Sequence, residues 1–184
     1  MASRTCPVWV GYLLASPLRR LLENPERELE PYVLPGMRVL DVGSAMGFFS
    51  LPMARMVGPS GCVICVDVQE RMLQVLERRG RRAQLAERLR LRPCRPDTLG
   101  LEDLAGTVDF ALAVAVVHEV PDASRFLSEI AAALRPQAHL LLAEPRGHVG
   151  RARFEETVEL ARQAGLTPEG TPKVARSRSA LLRR

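Results

Sequence analysis

Apolar runs alternate with amphipathic stretches along most of this chain. Five apolar segments are predicted to be strands: Met37–Val42, Cys62–Val66, Leu89–Arg92, Val108–Val116 and His139–Ala143. Most of them lack the polar alternation of a strand with one wet face, which is typical of parallel strands covered on both sides. Helical patterns separate the strands. The alternation predicts an α/β fold with a doubly wound, mostly parallel sheet between two layers of helices.

Helix and turn signals refine this organisation. The segment Val68–Leu89 predicts one or two helices, broken near Gly80. Asp122 is placed to cap the helix that follows the fourth strand. The last twenty residues contain glycines and prolines that favour a hairpin closing one edge of the sheet. Residues 1–33 are predicted to form a helical cap in front of a single globular domain at 34–184.

Composition narrows the class of protein. The 184 residues are 47% hydrophobic, which excludes a disordered chain. The longest apolar run, Phe110–Val117, is far shorter than the ~20 residues of a membrane-spanning helix. The early apolar stretch Val8–Ala15 lacks a good signal-peptide cleavage site, so we expect a cytoplasmic protein. Cys62 and Cys65 fall on opposite faces of a strand, so we expect no metal site there.

The net charge of +5 comes from arginine, and many of these arginines lie between Arg71 and Arg95. Such a cluster binds RNA phosphates in some proteins, and it is a solvated helix face in others. No aromatic residue lies between Phe49 and Phe110 to stack on bases. The solvated face is therefore the favoured interpretation, and nucleic acid is a disfavoured partner.

The segment with the clearest chemistry is a strand, a turn of small residues and the start of a helix, at residues 39–50. In open α/β sheets, ligands bind at this carboxyl end of a strand. A dinucleotide fingerprint would need glycine at 45 and 48, where this chain has Ala45 and Phe48. A nucleoside triphosphate loop is also excluded, because no Gly-Lys-Ser/Thr follows.

What remains, Asp-x-Gly-x-Ala-x-Gly from Asp41, resembles motif I of class I S-adenosylmethionine-dependent methyltransferases, with Ala45 in place of the middle glycine. The block His118–Ile130 is similar to the corresponding loop and helix of the ubiquinone/menaquinone-methyltransferase-like branch. Leu134-Arg135-Pro136 is similar to that branch's turn before the fifth strand, although Gln137 and Ala138 replace its two glycines. The resemblance implies a Rossmann-like fold, S-adenosylmethionine as cofactor and methyl transfer to a small molecule.

The resemblance also implies a cofactor site. Asp67 follows the second strand and would hold the ribose hydroxyls, which is the favoured interpretation; the alternative, which can coexist with it, is a cap of the next helix. Asp97 is the candidate for the adenine, with a plain surface turn as the alternative. The complete predicted set is Asp41, Gly43, Ser44, Ala45, Gly47, Asp67, Val68, Asp97 and Ala115.

The acceptor side is less defined. His118 and Glu119 follow the fourth strand and are the candidates for catalysis, His118 as a base or as a structural group. The candidates for substrate contact are Glu144 and His148 after the fifth strand, and Trp9 and Tyr12 in the N-terminal cap. So short a chain predicts a small acceptor, its nucleophile being oxygen, sulfur, nitrogen or carbon, or help from a second subunit in a homodimer. The alternatives are an RNA methyltransferase and a degenerate fold that only binds a partner.

Overall fold

The computed structural model describes residues 23–184, which form two compact units at 23–94 and 95–184. The predicted cap at 1–33 therefore lies mostly outside the described residues, as do Trp9 and Tyr12. Its described part contains one short helix, α1 (Pro25–Leu29), which begins after the cap residue Asn24.

The first unit is built from three parallel strands. They are β1 (Arg38–Val42), β2 (Cys62–Asp67) and β3 (Leu89–Pro93), connected by helices α2 (Ser50–Met56) and α3 (Glu70–Arg82). The order is β3-β2-β1, with Val42 opposite Val66. The carboxyl ends of β1 and β2 therefore meet at one edge. Among the described residues β3 pairs with β2 alone.

The predicted break near Gly80 lies slightly later in the chain, after α3 ends at Arg82, and a short 3-10 helix follows at Ala86–Arg88. Helix α3 runs unbroken from Glu70 to Arg82, with Gly80 buried inside it. A Cβ at position 80 would lie 2.6 Å from Cδ1 of Leu89 on β3. The glycine thus permits a close approach of helix to strand, and that packing outweighs its poor helix propensity.

The second unit contains the other four strands and two helices. They are β4 (Val108–Val114), α4 (Ala123–Ala133), β5 (Leu134–Pro145), α5 (Arg151–Gln163), β6 (Thr167–Gly170) and β7 (Ser177–Arg183). β4 and β5 are parallel, and β7 is antiparallel to both β5 and β6, which confirms the predicted hairpin. Asp122 caps α4, as predicted, by accepting a hydrogen bond from the Arg125 amide.

The fifth strand begins earlier than its sequence predicts, at Leu134 and not at His139. Residues 135–137 are exposed, which is why the apolar pattern misses them. Gln137 has a φ of +69°, at the position where the resembled family has a glycine. The backbone has kept a left-handed conformation after the glycine was replaced.

Candidate functional site

The loop after β1 has the backbone of a glycine turn even where glycine is missing. Gly43, Ala45 and Gly47 have φ values of +75°, +45° and +83°. Position 47 favours glycine chiefly because of its φ, and a Cβ there would also displace the end of the Leu76 side chain on α3. Ala45 adopts its left-handed conformation at a cost of about 1–2 kcal/mol. Alanine at position 45 therefore strains the loop, and the backbone there is left-handed all the same.

The loop is held in place by hydrogen bonds to the end of β2. The amides of Gly43 and Ser44 donate to the Val66 carbonyl at 2.9 and 3.1 Å, and the Ala45 amide donates to Oδ2 of Asp67 at 2.8 Å. The Gly47 amide in turn donates to the Ser44 carbonyl at 2.9 Å. Four of the five loop amides are thus engaged within the chain.

Asp67 connects this loop to α3. Its Oδ1 accepts a hydrogen bond from the Gln69 amide at 2.8 Å, but Gln69 is itself the N-cap residue of α3, so Asp67 lies outside the helix and is not its cap. A carboxylate accepts about four hydrogen bonds, and these two amides leave room for two more. Burial raises the pKa of Asp67, while the two amide bonds oppose that shift.

Asp41 is almost fully buried on β1, close to Asp67. Its Oδ2 accepts a hydrogen bond from the Ser50 hydroxyl at 2.5 Å. Burial raises the pKa of Asp41 to about 7, with the Ser50 bond opposing the shift and the negative charge of Asp67 adding to it. Two carboxyl groups thus lie behind the loop, which favours a ligand that carries positive charge.

The residues of this unit fit S-adenosylmethionine. The Ser44 hydroxyl is buried and has no hydrogen-bond partner among the described residues, so it can accept or donate to a ligand. Asp67 keeps acceptor capacity beyond its two amide bonds, which is what the hydroxyls of a ribose require. Val68, also predicted here, is 39% exposed.

The other two predicted cofactor residues lie in the second unit. Asp97 is 61% exposed and its carboxylate lies 3.2 Å from the Arg95 guanidinium, which is the arrangement of the surface-turn alternative. Ala115 follows β4 in a left-handed conformation with a φ of +56°, and its amide donates to the Ala143 carbonyl. Their roles toward the cofactor stay predictions.

The second unit brings His118 and Glu144 together. Glu144, at the end of β5, is 1% exposed, and its two oxygens are both used. Oε1 accepts a hydrogen bond from the Val117 amide at 2.7 Å, and Oε2 lies 2.5 Å from Nδ1 of His118. The bond to Glu144 raises the pKa of His118, together with the charges of Glu144 and Glu119, against the opposing effects of burial and of Arg153.

Two further predicted residues surround His118. Oε1 of Glu119 lies 3.9 Å from Nε2 of His118. The rings of His118 and His148 meet edge to face, with centroids 5.7 Å apart. A cavity of about 280 Å³ opens beside this group, lined by His118, Glu144 and residues of α5.

Three residues with a part in these two clusters were missed by the sequence analysis. Ser50 binds Asp41, Arg79 donates to the Met46 carbonyl in the loop, and Arg153 of α5 donates to the His118 carbonyl at 3.4 Å. Ser50 could have been found from the sequence, because it is the last residue of the strand–turn–helix segment at 39–50. The two arginines are 33 and 35 residues from their partners, and nothing in the sequence connects them.

Comparison with known proteins agrees with these observations. A family model described as a methyltransferase domain matches residues 34–172. A ubiquinone biosynthesis O-methyltransferase of Methylocella silvestris is 30% identical over 132 residues, which cover 71% of this chain and 49% of the relative. A demethylmenaquinone methyltransferase of Lactobacillus johnsonii is 29% identical over 112 residues, or 61% and 45% of the two chains.

Among solved structures, a SAM-dependent methyltransferase from Aquifex aeolicus superimposes with a TM-score of 0.84 at 24% identity, covering 97% of this chain and 99% of the other. That likeness confirms the predicted doubly wound, mostly parallel Rossmann-like fold.

The chain belongs to the methyltransferase domain family, whose model spans well over half of its length. S-adenosylmethionine is the cofactor expected of this family, as the sequence predicted. The chain spans 31%, 45% and 49% of the lengths of three curated relatives that it matches. Within residues 23–184 the structure contains no helix with the length and apolar character needed to cross a membrane.

Proposed function

We propose that this chain transfers a methyl group from S-adenosylmethionine to a small-molecule acceptor. The observation that carries the proposal is the loop at residues 43–47, which keeps three left-handed residues and is bonded to Asp67. The cofactor supplies an electrophilic methyl group on a sulfonium, whose carbon–sulfur bond breaks with the electron pair left on sulfur. The protein has mainly to align donor and acceptor, and positioning alone lowers such a barrier by about 7–11 kcal/mol.

The first test is calorimetry of the full chain with S-adenosylhomocysteine and S-adenosylmethionine. We expect Asp67→Ala to weaken binding at least tenfold, about 1.4 kcal/mol, because the ribose loses a charged acceptor. Asp122→Ala is the control, since the Asp122 carboxylate, like that of Asp67, accepts from a backbone amide, and Asp122 lies outside the predicted cofactor set. Both variants should lose stability, and only Asp67→Ala should lose affinity. Equal affinity in wild type and Asp67→Ala would remove Asp67 from the site.

The alternative of a degenerate, non-catalytic fold rested on the replaced glycines at 45 and 137–138. The left-handed conformations of Ala45 and Gln137 support retention of both turns. The alternative predicts a stable complex with a partner protein and no turnover. Incubation with radiolabelled S-adenosylmethionine and a mixture of small phenols, thiols and amines distinguishes the two, because labelled small-molecule product arises only from an active enzyme.

The alternative of an RNA methyltransferase rested on the arginine cluster. Several of these arginines bond to the chain itself: Arg88 donates to the Ala54 carbonyl at 3.0 Å, and Arg81 pairs with Glu77 at 2.7 Å. The first contact ties one guanidinium to the fold and the second offsets one positive charge, which supports a structural and solvated role for these arginines. An RNA-binding chain would lose affinity steeply with salt, whereas we expect weak retention of RNA on a filter at any salt concentration.

A further inference from the structure

We infer that the cavity beside His118 is an acceptor site for a small molecule whose nucleophile is a hydroxyl or a thiol, with Glu144 positioning His118 to remove its proton. This inference rests on the proposed function and narrows its substrate class. Among the described residues, the observations that carry it are a buried carboxylate bonded to an imidazole and an open cavity that both residues line.

The hydrogen bonds assign the atoms of His118. Glu144 is buried and its Oε1 is already held by the Val117 amide, so Oε2 has a fixed direction. An ionised carboxylate only accepts, so Nδ1 of His118 must carry the proton between them. The opposite nitrogen, Nε2, then has its lone pair available as a base. Glu144 acts through His118 and is therefore a positioning residue.

The cavity sets the size and character of the acceptor. Its volume of about 280 Å³ lies just below the usual range of ligand sites, which run from ~300 to 1,000 Å³. Arg153 and Glu156 of α5 line it and are both exposed, so its mouth carries one charge of each sign. The Thr157 hydroxyl is used within α5, where it donates to the Arg153 carbonyl. These groups select for size more than for charge.

The groups around His118 determine which kind of acceptor proton it can remove. Glu144 and Glu119 favour its protonated form, and Arg153 opposes them, while His148 packs against the ring edge. An imidazole of this kind matches phenolic, enolic or thiol protons, since general bases work best on protons of similar acidity. A neutral amine needs no base before it attacks. An ordinary carbon–hydrogen bond is far too weak an acid to be deprotonated by an imidazole.

The methyl transfer moves one proton and one methyl group. The acceptor's O–H or S–H proton passes to Nε2, and the resulting imidazolium is stabilised by Glu144. The acceptor's lone pair forms the new bond to the methyl carbon as the carbon–sulfur bond of the donor breaks. The products are the methyl ether or thioether and S-adenosylhomocysteine, and the imidazolium proton then leaves to solvent.

The test uses two absorbing probes, 4-nitrophenol and thiophenol, which are mostly protonated at pH 6 and whose anions are followed by absorbance without any cofactor. We expect the anion band to grow as wild-type protein is added at pH 6, and His118→Gln to weaken this effect at least tenfold. His139→Gln is the matched control. His139 pairs with Glu169 at 2.9 Å on the surface of the same unit and should leave the band unchanged.

A second measurement follows the histidines themselves by NMR, with signals assigned from single substitutions. Glu144→Gln should lower the midpoint of the His118 titration by about one pH unit or more, because a charge-assisted bond is lost. In wild-type protein the probe should shift the Nε2 resonance of His118 and leave that of His139 in place. The probe measurement uses wild-type protein alone and does not depend on the Glu144 variant, whereas the titration is compared only for a variant whose spectrum shows that it is folded.

The outcomes separate this inference from the proposed function. If S-adenosylhomocysteine binds but neither probe moves the His118 signal at millimolar concentration, the acceptor site is overturned and the proposed function stands. If the probes ionise beside His118 but no cofactor binds, the cavity and its base are supported and the proposed function fails. A His118 signal that does not respond to Glu144→Gln overturns the positioning role.

Discussion

Removing the charge of Asp41 should stabilise the protein, and the gain should depend on pH. Asp41 lies on β1 with 4% of its surface exposed, and the Ser50 hydroxyl donates to it. The change Asp41→Asn keeps an oxygen that can accept this bond and removes the ionisable group. The nearby Asp67 titrates in both proteins, so its effect largely cancels in the comparison.

The magnitude follows from the pKa of Asp41, which burial raises from 3.8 to about 7. Between these values the unfolded chain has released the proton and the folded chain still holds it. The free energy of unfolding of the wild type therefore falls as pH rises across this window. About three pKa units at 1.36 kcal/mol each give roughly 4 kcal/mol as an upper value. The gain from Asp41→Asn should be absent near pH 4 and complete above pH 7.

Urea denaturation at half-unit steps from pH 4 to 8.5 measures this difference. The variant Asp97→Asn is the control, because its carboxylate is largely exposed and contributes little to stability. Its difference from wild type should stay within about 0.5 kcal/mol throughout. A difference between Asp41→Asn and wild type that is constant across pH, or that favours the wild type above pH 7, would refute the burial argument.

Two substitutions test the backbone around the loop, with thermal denaturation as the measurement. Ala45→Gly should stabilise the protein by about 0.5–1 kcal/mol, because relief of the left-handed strain exceeds the entropy cost of glycine. The control Ala54→Gly, inside α2, should destabilise it. A loss of stability in Ala45→Gly would show that the alanine is not strained. Gly61→Ala should destabilise the protein by about 1–3 kcal/mol, because the new methyl group would lie 2.6 Å from the Met37 carbonyl oxygen. The control Gly147→Ala has open space around its methyl group and should be neutral. Equal melting temperatures for the two variants would contradict the close packing at Gly61.

The elements that the sequence predicts well are those set by burial on both faces. The run from Cys62 to Val66 is apolar throughout, and the observed strand differs from it by one residue. The capping role of Asp122 was also predictable, since it depends on residues three apart in the sequence. Such features are local, so the order of residues is enough to specify them.

The features that the sequence could not supply depend on contacts between distant residues. Glycine is a poor helix former, and only the approach of β3 explains why Gly80 lies inside a helix. The pairing of Glu144 with His118 joins residues 26 apart, and both were predicted as separate candidates near a substrate. The left-handed backbone of Ala45 is not evident from the residue itself, and its amide is bonded to Asp67, 22 residues away.

Among the described residues, strand β3 pairs with one strand only, β2, and this affects how copies of the protein can associate. A strand at the margin of a sheet offers unpaired peptide groups to other chains, and proteins commonly block such margins with charge and proline. Here Arg90 and Arg92 lie on the strand and Pro93, which has no amide proton, ends it. Two copies meeting edge to edge through β3 would bring like charges together, so a homodimer of this protein should form through a different surface.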